Sequence, residues 1–216
     1  MFEQLIIFIV ALMTSPCPPD MVKVPKHNAC IDKYEWPNIK GQKPEVGLSG
    51  LPNIYDEKRG IIKNAKQLCE SVGKRPCDMD EWIESCRGPR GSDYPWGNVL
   101  PDLLRTIPSK AKCNYAQPFT DPIEMEVWRR NPKEFERLDK RDPSGTRGCV
   151  SASGAEDMMG NVEEWVVCPS YMTKSGWCLA GRYWSEAYKC NKMAAGHDPG
   201  WWYYESGTRC CLTIVE

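Results

Sequence analysis

The chain predicts a single, loop-rich α+β domain on three observations. Its 216 residues are 41% hydrophobic, enough to bury one real core without a second domain. Eighteen prolines and 17 glycines are spread along the whole length, which sets a turn-dense chain with few long regular elements and excludes a long helical bundle. Helical spacing shows clearly in only two short windows. The C-terminal third instead carries short apolar runs rich in Trp, Tyr and Gly, the pattern of short strands joined by irregular loops.

Taken in order, residues 5–13 form an uninterrupted apolar run of signal-peptide length, too short to span a bilayer. Residues 1–16 read as a signal-peptide-like segment and 17–216 as one domain. The absence of Lys or Arg before the run and the acidic Glu3 leave an edge strand or a hydrophobic anchor as alternatives, while Pro16 disfavours a lipidated Cys17. The first helix is predicted over Lys63 to Val72, where Ala65, Leu68, Cys69 and Val72 recur at helical spacing and Gly73 supplies a stop. Asp78 and Glu81 form a capping-box pattern for a second, carrying Trp82, Ile83 and Cys86 and ending at Gly88-Pro89. Residues 124–142 are heavily charged, with Asn131-Pro132-Lys133-Glu134 reading as a helix start, and are expected to be a solvated surface insertion.

Charge and cysteine narrow the function class. Twenty-eight Lys and Arg against 29 Asp and Glu leave no global field that favours nucleic acid or an anionic membrane. Twelve dispersed cysteines contain no Cys-x-x-Cys pair, which argues against a zinc ribbon or a redox dithiol and for structural bridges in an oxidising compartment, secreted, periplasmic or extracellular. Spacing does not give their connectivity. Cys210 and Cys211, if on a strand, point to opposite faces and take different partners.

The stretch Asp157-Met158-Met159-Gly160-Asn161-Val162-Glu163-Glu164-Trp165 places three carboxylates, an amide and a glycine within nine residues. That is the composition of a hard-cation site, in which side-chain and carbonyl oxygens at short intervals surround calcium. It is equally the composition of a loop entering a strand, with Asp157 and Asn161 bonding within the turn and Glu163 solvated.

Several segments in fixed order resemble formylglycine-generating, sulfatase-modifying-factor-type domains. They are Met21-Val22-Lys23-Val24-Pro25, Ile31-Asp32-Lys33-Tyr34-Glu35, Gly73-Lys74-Arg75-Pro76 with Asp80-Glu81-Trp82, Tyr94-Pro95-Trp96-Gly97, Cys113-Asn114, the nonapeptide, and Gly207-Thr208-Arg209-Cys210. The resemblance spans about residues 20 to 213. It implies a C-type-lectin-like fold: a small twisted antiparallel sheet, two helices and extensive coil. It also implies a structural Ca2+ held by the side chains of Asp157 and Glu164 and the carbonyls of Gly160 and Val162.

The same resemblance implies where catalysis would sit. Catalytic relatives oxidise a substrate cysteine to formylglycine on copper held by two cysteines separated by four residues, soft thiolates suiting Cu(I). Anchoring on Tyr188-Lys189-Cys190 places Ala180 and Ser185 at those positions; anchoring on Cys178 places Tyr183 at the second. Either way the pair is broken, and Cys178 and Cys190 are expected in disulfides. Other relatives hold iron through three histidines, whereas this chain has only His27 and His197. Neither copper nor iron is therefore expected.

His197 can line a pocket, act as an acid or base, or simply serve as a loop hydrogen-bonding residue. No Gly-x-Ser-x-Gly elbow supports a hydrolase, and adjacent Glu163 and Glu164 on a strand face opposite sides, unlike a glycosidase pair. What remains is a dense aromatic and polar set, Arg182, Tyr183, Trp184, Tyr188, His197, Trp201 and Trp202, near the family's substrate groove and suited to peptide or sugar recognition. The expectation is an exported, disulfide-bonded, calcium-stabilised binding or degenerate-enzyme module for a peptide, protein or glycan. The alternative is a metal-dependent oxidoreductase using Cys178 with His197, or a second chain's ligands.

Overall fold

The computed structural model describes residues 15–101, 112–115, 136, 139–185 and 187–215. The apolar run at 5–13 and the helix start at Asn131 lie outside them. Among the described residues eleven short elements carry the fold: β1 (Met21–Lys23), β2 (Ala29–Asp32), β3 (Tyr55–Asp56), β4 (Gly60–Ile61), α1 (Ala65–Ser71), β5 (Arg75–Pro76), α2 (Met79–Arg87), β6 (Glu163–Val167), β7 (Trp177–Ala180), β8 (Ser206–Thr208) and β9 (Cys210–Thr213).

Both helices stand where the sequence places them, for local reasons. Asn64 caps α1 by accepting the Gln67 amide on Oδ1 at 2.9 Å, which starts the helix at Ala65, two residues later than its periodicity does. Glu81 closes the capping box of α2, its Oε2 accepting the Asp78 amide at 3.0 Å. The face of α2 that carries Met79, Trp82 and Cys86 is buried, packing against Val24, Ile31, Met158 and Val166.

Three sheets form. The first runs β1-β2-β9-β5 and is antiparallel throughout; β3 and β4 make a small hairpin; the third runs β7-β6-β8. In the third, β6 is antiparallel to β7 but parallel to β8, so the sheets are not all antiparallel. The reason is connectivity: β8 returns to β6 after a long coil passage rather than a hairpin, and such a connection permits parallel pairing. A parallel bridge between Asp78 and Val167 joins the first and third sheets beside the start of α2.

All twelve cysteines are paired, in six disulfides: Cys17–Cys30, Cys69–Cys210, Cys77–Cys211, Cys86–Cys190, Cys113–Cys149 and Cys168–Cys178. Cys210 and Cys211 take different partners, one tying β9 to α1 and the other tying it to the residue before α2's cap. Closing loops of 104 to 141 residues removes unfolded-state entropy worth roughly 4–5 kcal/mol for each bridge taken alone, which suits a fold with so little regular structure. Among the described residues no helix is long and apolar enough to cross a membrane.

Candidate functional site

The nonapeptide forms the centre of the molecule. Asp157, Asn161 and Gly160 all adopt positive φ (56°, 59° and 80°), coiling the chain tightly before Glu163 enters β6. Gly160 is required there, because a Cβ would lie 2.0 Å from the Asn114 carbonyl oxygen. That carbonyl in turn accepts the Asn161 amide at 2.8 Å. Asn161 Oδ1 accepts from Asn114 Nδ2 at 3.0 Å and from the Asp142 amide at 2.8 Å, so the end of the charged 124–142 segment docks on the core rather than standing solvated.

Around this coil three buried carboxylates face one guanidinium. Arg209 is fully buried, and its five N–H groups are all used. Nε donates to Glu164 Oε2 at 3.0 Å and Nη2 to Glu164 Oε1 at 2.9 Å; the rest donate to the carbonyls of Asp32, Lys33 and Glu156 at 2.9, 2.8 and 2.7 Å. Trp82 Nε1 donates to Glu164 Oε2 at 2.7 Å. Glu35 Oε2 accepts from Ser144 and Asn161, both at 2.8 Å, and Asp157 Oδ2 accepts the Gly145 amide at 2.6 Å. Burial pushes Asp157 up to about 6, and burial, with the charges of Asp157 and Glu164, pushes Glu35 well above the usual carboxylate range.

This arrangement bears directly on calcium. Both oxygens of Glu164 already accept protein hydrogens, and Asp157 accepts the Gly145 amide. Among the described residues, no three His, Cys, Asp or Glu side chains come together as a cation would need. In this arrangement the side chains of Glu164 and Asp157 are engaged with Arg209, Trp82 and the Gly145 amide.

The candidate positions from the two anchorings, Ala180 with Ser185 and Cys178 with Tyr183, lie in β7 and just beyond it. Ala180 is buried, opposite Glu164 in the strand register, and Ser185 is half-buried. Cys178 is bridged to Cys168 and Cys190 to Cys86, so neither presents a thiol.

The predicted recognition residues divide. Trp184 is buried, packed against Tyr204 with ring centroids 5.5 Å apart, and belongs to the interior. Arg182, Tyr183, Tyr188, His197, Trp201 and Trp202 are partly exposed and form linked contacts. Arg182 lies over the rings of Tyr183 and Tyr188 at 5.7 and 4.7 Å, Lys192 over Tyr188 at 4.5 Å and Arg59 over Trp202 at 5.2 Å. His197 sits 4.4 Å from Trp201, and burial followed by the nearby Arg182 charge lowers its pKa, which keeps the imidazole neutral at pH 7.

Beneath this face lies a pair the sequence reading did not assign. Arg182 Nη1 binds Glu163 Oε1 at 2.7 Å, and Trp201 Nε1 donates to Glu205 Oε1 at 3.1 Å. Burial, with Glu163 next, pushes Glu205 up to about 8, so Glu205 is a neutral acid at pH 7. Glu163 is buried, not solvated. The available signal for both sites was a charged residue inside an otherwise uncharged strand-like run, such as Arg209 between Ser206 and Val215.

Among the described residues the fold and site define a disulfide-bonded α+β module with two helices, small sheets and a buried polar centre. The family described as "Sulfatase-modifying factor enzyme 1-like domain" matches residues 29–214, and the chain belongs to that family. Among solved structures, Treponema denticola variable protein 1 is similar to it in fold, with a TM-score of 0.55 and 12% sequence identity over 93% of each chain. No curated protein matches it.

Proposed function

We propose that this chain is an exported binding module of its family, recognising a peptide or glycan through the face of Arg182, Tyr183, Tyr188, His197, Trp201 and Trp202, and not a generator of formylglycine. The observation that carries this reading is the fate of the cysteines. By the family resemblance the copper-binding positions fall on Ala180 and Ser185 or, on the other anchoring, on Cys178 and Tyr183, and Cys178 and Cys190 are locked in disulfides. Two-thiolate copper chemistry has no donors there. Rigid rings with polar edges, held by cation–aromatic contacts, supply contact area at low entropic cost, as recognition surfaces require. Six disulfides support export to an oxidising compartment. In this reading Arg209 provides the internal positive charge for which the family resemblance implies calcium.

The test has two arms. The purified chain, given Cu(I) and a cysteine-containing sulfatase-type peptide, is expected to consume no oxygen above a copper blank. On glycan and peptide arrays it is expected to bind a defined subset, and Arg182→Ala with Trp202→Ala to remove that binding. Formylglycine formed well above the blank would overturn the proposal.

A further inference from the structure

A second recognition surface lies at the other end of the β6/β7 pair. Ala180, at the C-terminal end of β7, faces Glu164; Trp177, which opens β7, faces Val167, roughly 10 Å away along the strand. At the Val167 end the surface is hollowed into two lobes that share Asp78 and Val167. None of the aromatic-face residues lines either lobe.

The first lobe, about 460 Å³, has apolar walls. Leu51, Pro52, Pro76, Val167 and Trp177 line it, and its floor includes Gly50, where an added Cβ would press on the Trp177 ring at 3.2 Å. Trp177 is held by an edge-to-face contact with buried Trp165, so this wall is rigid. The charges on its rim cancel. Lys66 pairs with Glu70 one helical turn away at 3.7 Å, and Arg75 is held by Glu81 at 2.6 Å.

The second lobe, about 340 Å³, is acidic. Asp78, Asp80 and Glu81 line it with His27, Pro169 and Tyr171, and among the described residues no Lys or Arg does. Arg75 satisfies Glu81 and stands 3.8 Å from Asp78, but among the described residues Asp80 has no such cation. Three carboxylates outweigh Arg75 and the half-charge of the α2 N-terminus together, so the lobe attracts cations. Tyr171, 80% exposed, offers a flat ring at its edge.

We propose that this two-lobed groove binds an extended segment of another protein, with a large apolar side chain in the Trp177 lobe and a Lys or Arg side chain in the acidic lobe. Lobes that share Asp78 and Val167 are adjacent, so one extended chain can reach both with side chains on the same face, which recur roughly every 7 Å. The cationic residue is fixed by charge complementarity, and Tyr171 adds a ring against which its stem or guanidinium can lie. An anionic lipid surface is repelled by the same carboxylates. The groove and the aromatic face share no residue, so this inference stands or falls separately from the function proposed above.

The experiment is selection of a displayed library of random ten-residue peptides on the intact, disulfide-bonded chain. Enrichment of Lys or Arg two positions from a Leu, Ile, Phe or Trp is expected. The enriched peptides, synthesised and titrated, should bind Asp80→Lys at least about tenfold more weakly and lose affinity with added salt. Ser175→Trp, at an exposed position on the rim of the apolar lobe, should block them, whereas Arg182→Ala with Trp202→Ala should bind them normally. Far-UV circular dichroism establishes that each variant is folded. Absence of any enriched peptide, enrichment without basic residues, or undiminished binding by folded Asp80→Lys and Ser175→Trp overturns the proposal.

Discussion

Arg209 grips Glu164 through two parallel bonds of 3.0 and 2.9 Å, with both residues wholly enclosed. The pair joins the residue before β9 to β6, and the remaining donors of Arg209 bind the carbonyls of Asp32 and Lys33 at the end of β2 and of Glu156, just before the nonapeptide. A bidentate guanidinium at this point orders coil that has few regular hydrogen bonds of its own.

Arg209→Met is therefore expected to destabilise the chain by roughly 3–5 kcal/mol, because it leaves Glu164 buried and charged beside Glu35 and Asp157. Arg209→Lys should lie in the same range, since an ammonium cannot replace five planar donors. Arg209→Met combined with Glu164→Gln should recover part of the loss. Denaturant unfolding with disulfides intact measures all three, and a loss below about 1 kcal/mol for Arg209→Met would refute the role given to the pair.

Calcium gives a sharp contrast. With Glu164 satisfied by Arg209 and Trp82, chelation followed by calcium re-addition is expected to leave the melting temperature of the native chain unchanged. A rise that saturates with calcium and is lost in Glu164→Gln would place the ion at the nonapeptide.

How much of this was legible in the sequence differs by the range of the interaction. The α2 start was readable because Asp78 and Glu81 are three apart, and the separate fates of Cys210 and Cys211 because strand alternation is local. The parallel pairing of Ser206–Thr208 with β6 was not, since its partner lies about forty residues earlier and no periodicity encodes it. Glu35 and Arg209 stood inside recognised motifs, yet their convergence on Asp157 and Glu164 depends on bringing together opposite ends of the chain. Trp184 went to the interior for the same reason: an aromatic in a dense run shows its type but not its side.

Stability should depend on pH in a direction set by the raised carboxyls. Asp157 at about 6 and Glu205 at about 8 hold protons in the native state that the unfolded chain releases near the ordinary carboxylate range. Their protonation therefore favours the fold at low pH, and that contribution is lost as pH rises through about 6 and then about 8. Glu81 and Asp139, whose Arg partners overcome burial and hold them below their ordinary values, act oppositely, and their contribution is lost as pH falls through that lower range. Melting temperature should peak at mildly acidic pH and decline above it. Glu205→Gln keeps the acceptor for Trp201 but cannot ionise, so it should flatten the decline around pH 8; an unchanged slope would show that Glu205 does not carry it.

Gly160 and Gly41 separate steric from conformational cost. Both have φ near 80°, so alanine at either is strained by roughly 1 kcal/mol through the backbone alone. At Gly41 a Cβ meets nothing within 4 Å, and Gly41→Ala should cost no more than that strain. At Gly160 the same atom would fall 2.0 Å from the Asn114 oxygen and 2.7 Å from its carbonyl carbon, both backbone and unable to rotate away. The Asn161–Asn114 bond, and with it the docking of Asp142, would have to break. Gly160→Ala is expected to cost at least about 3 kcal/mol and to lower soluble yield, measured beside Gly41→Ala by denaturant unfolding. Equal losses for the two variants would mean that the nonapeptide loop can move off Asn114, and that the tight coil is not what positions Glu164 for Arg209.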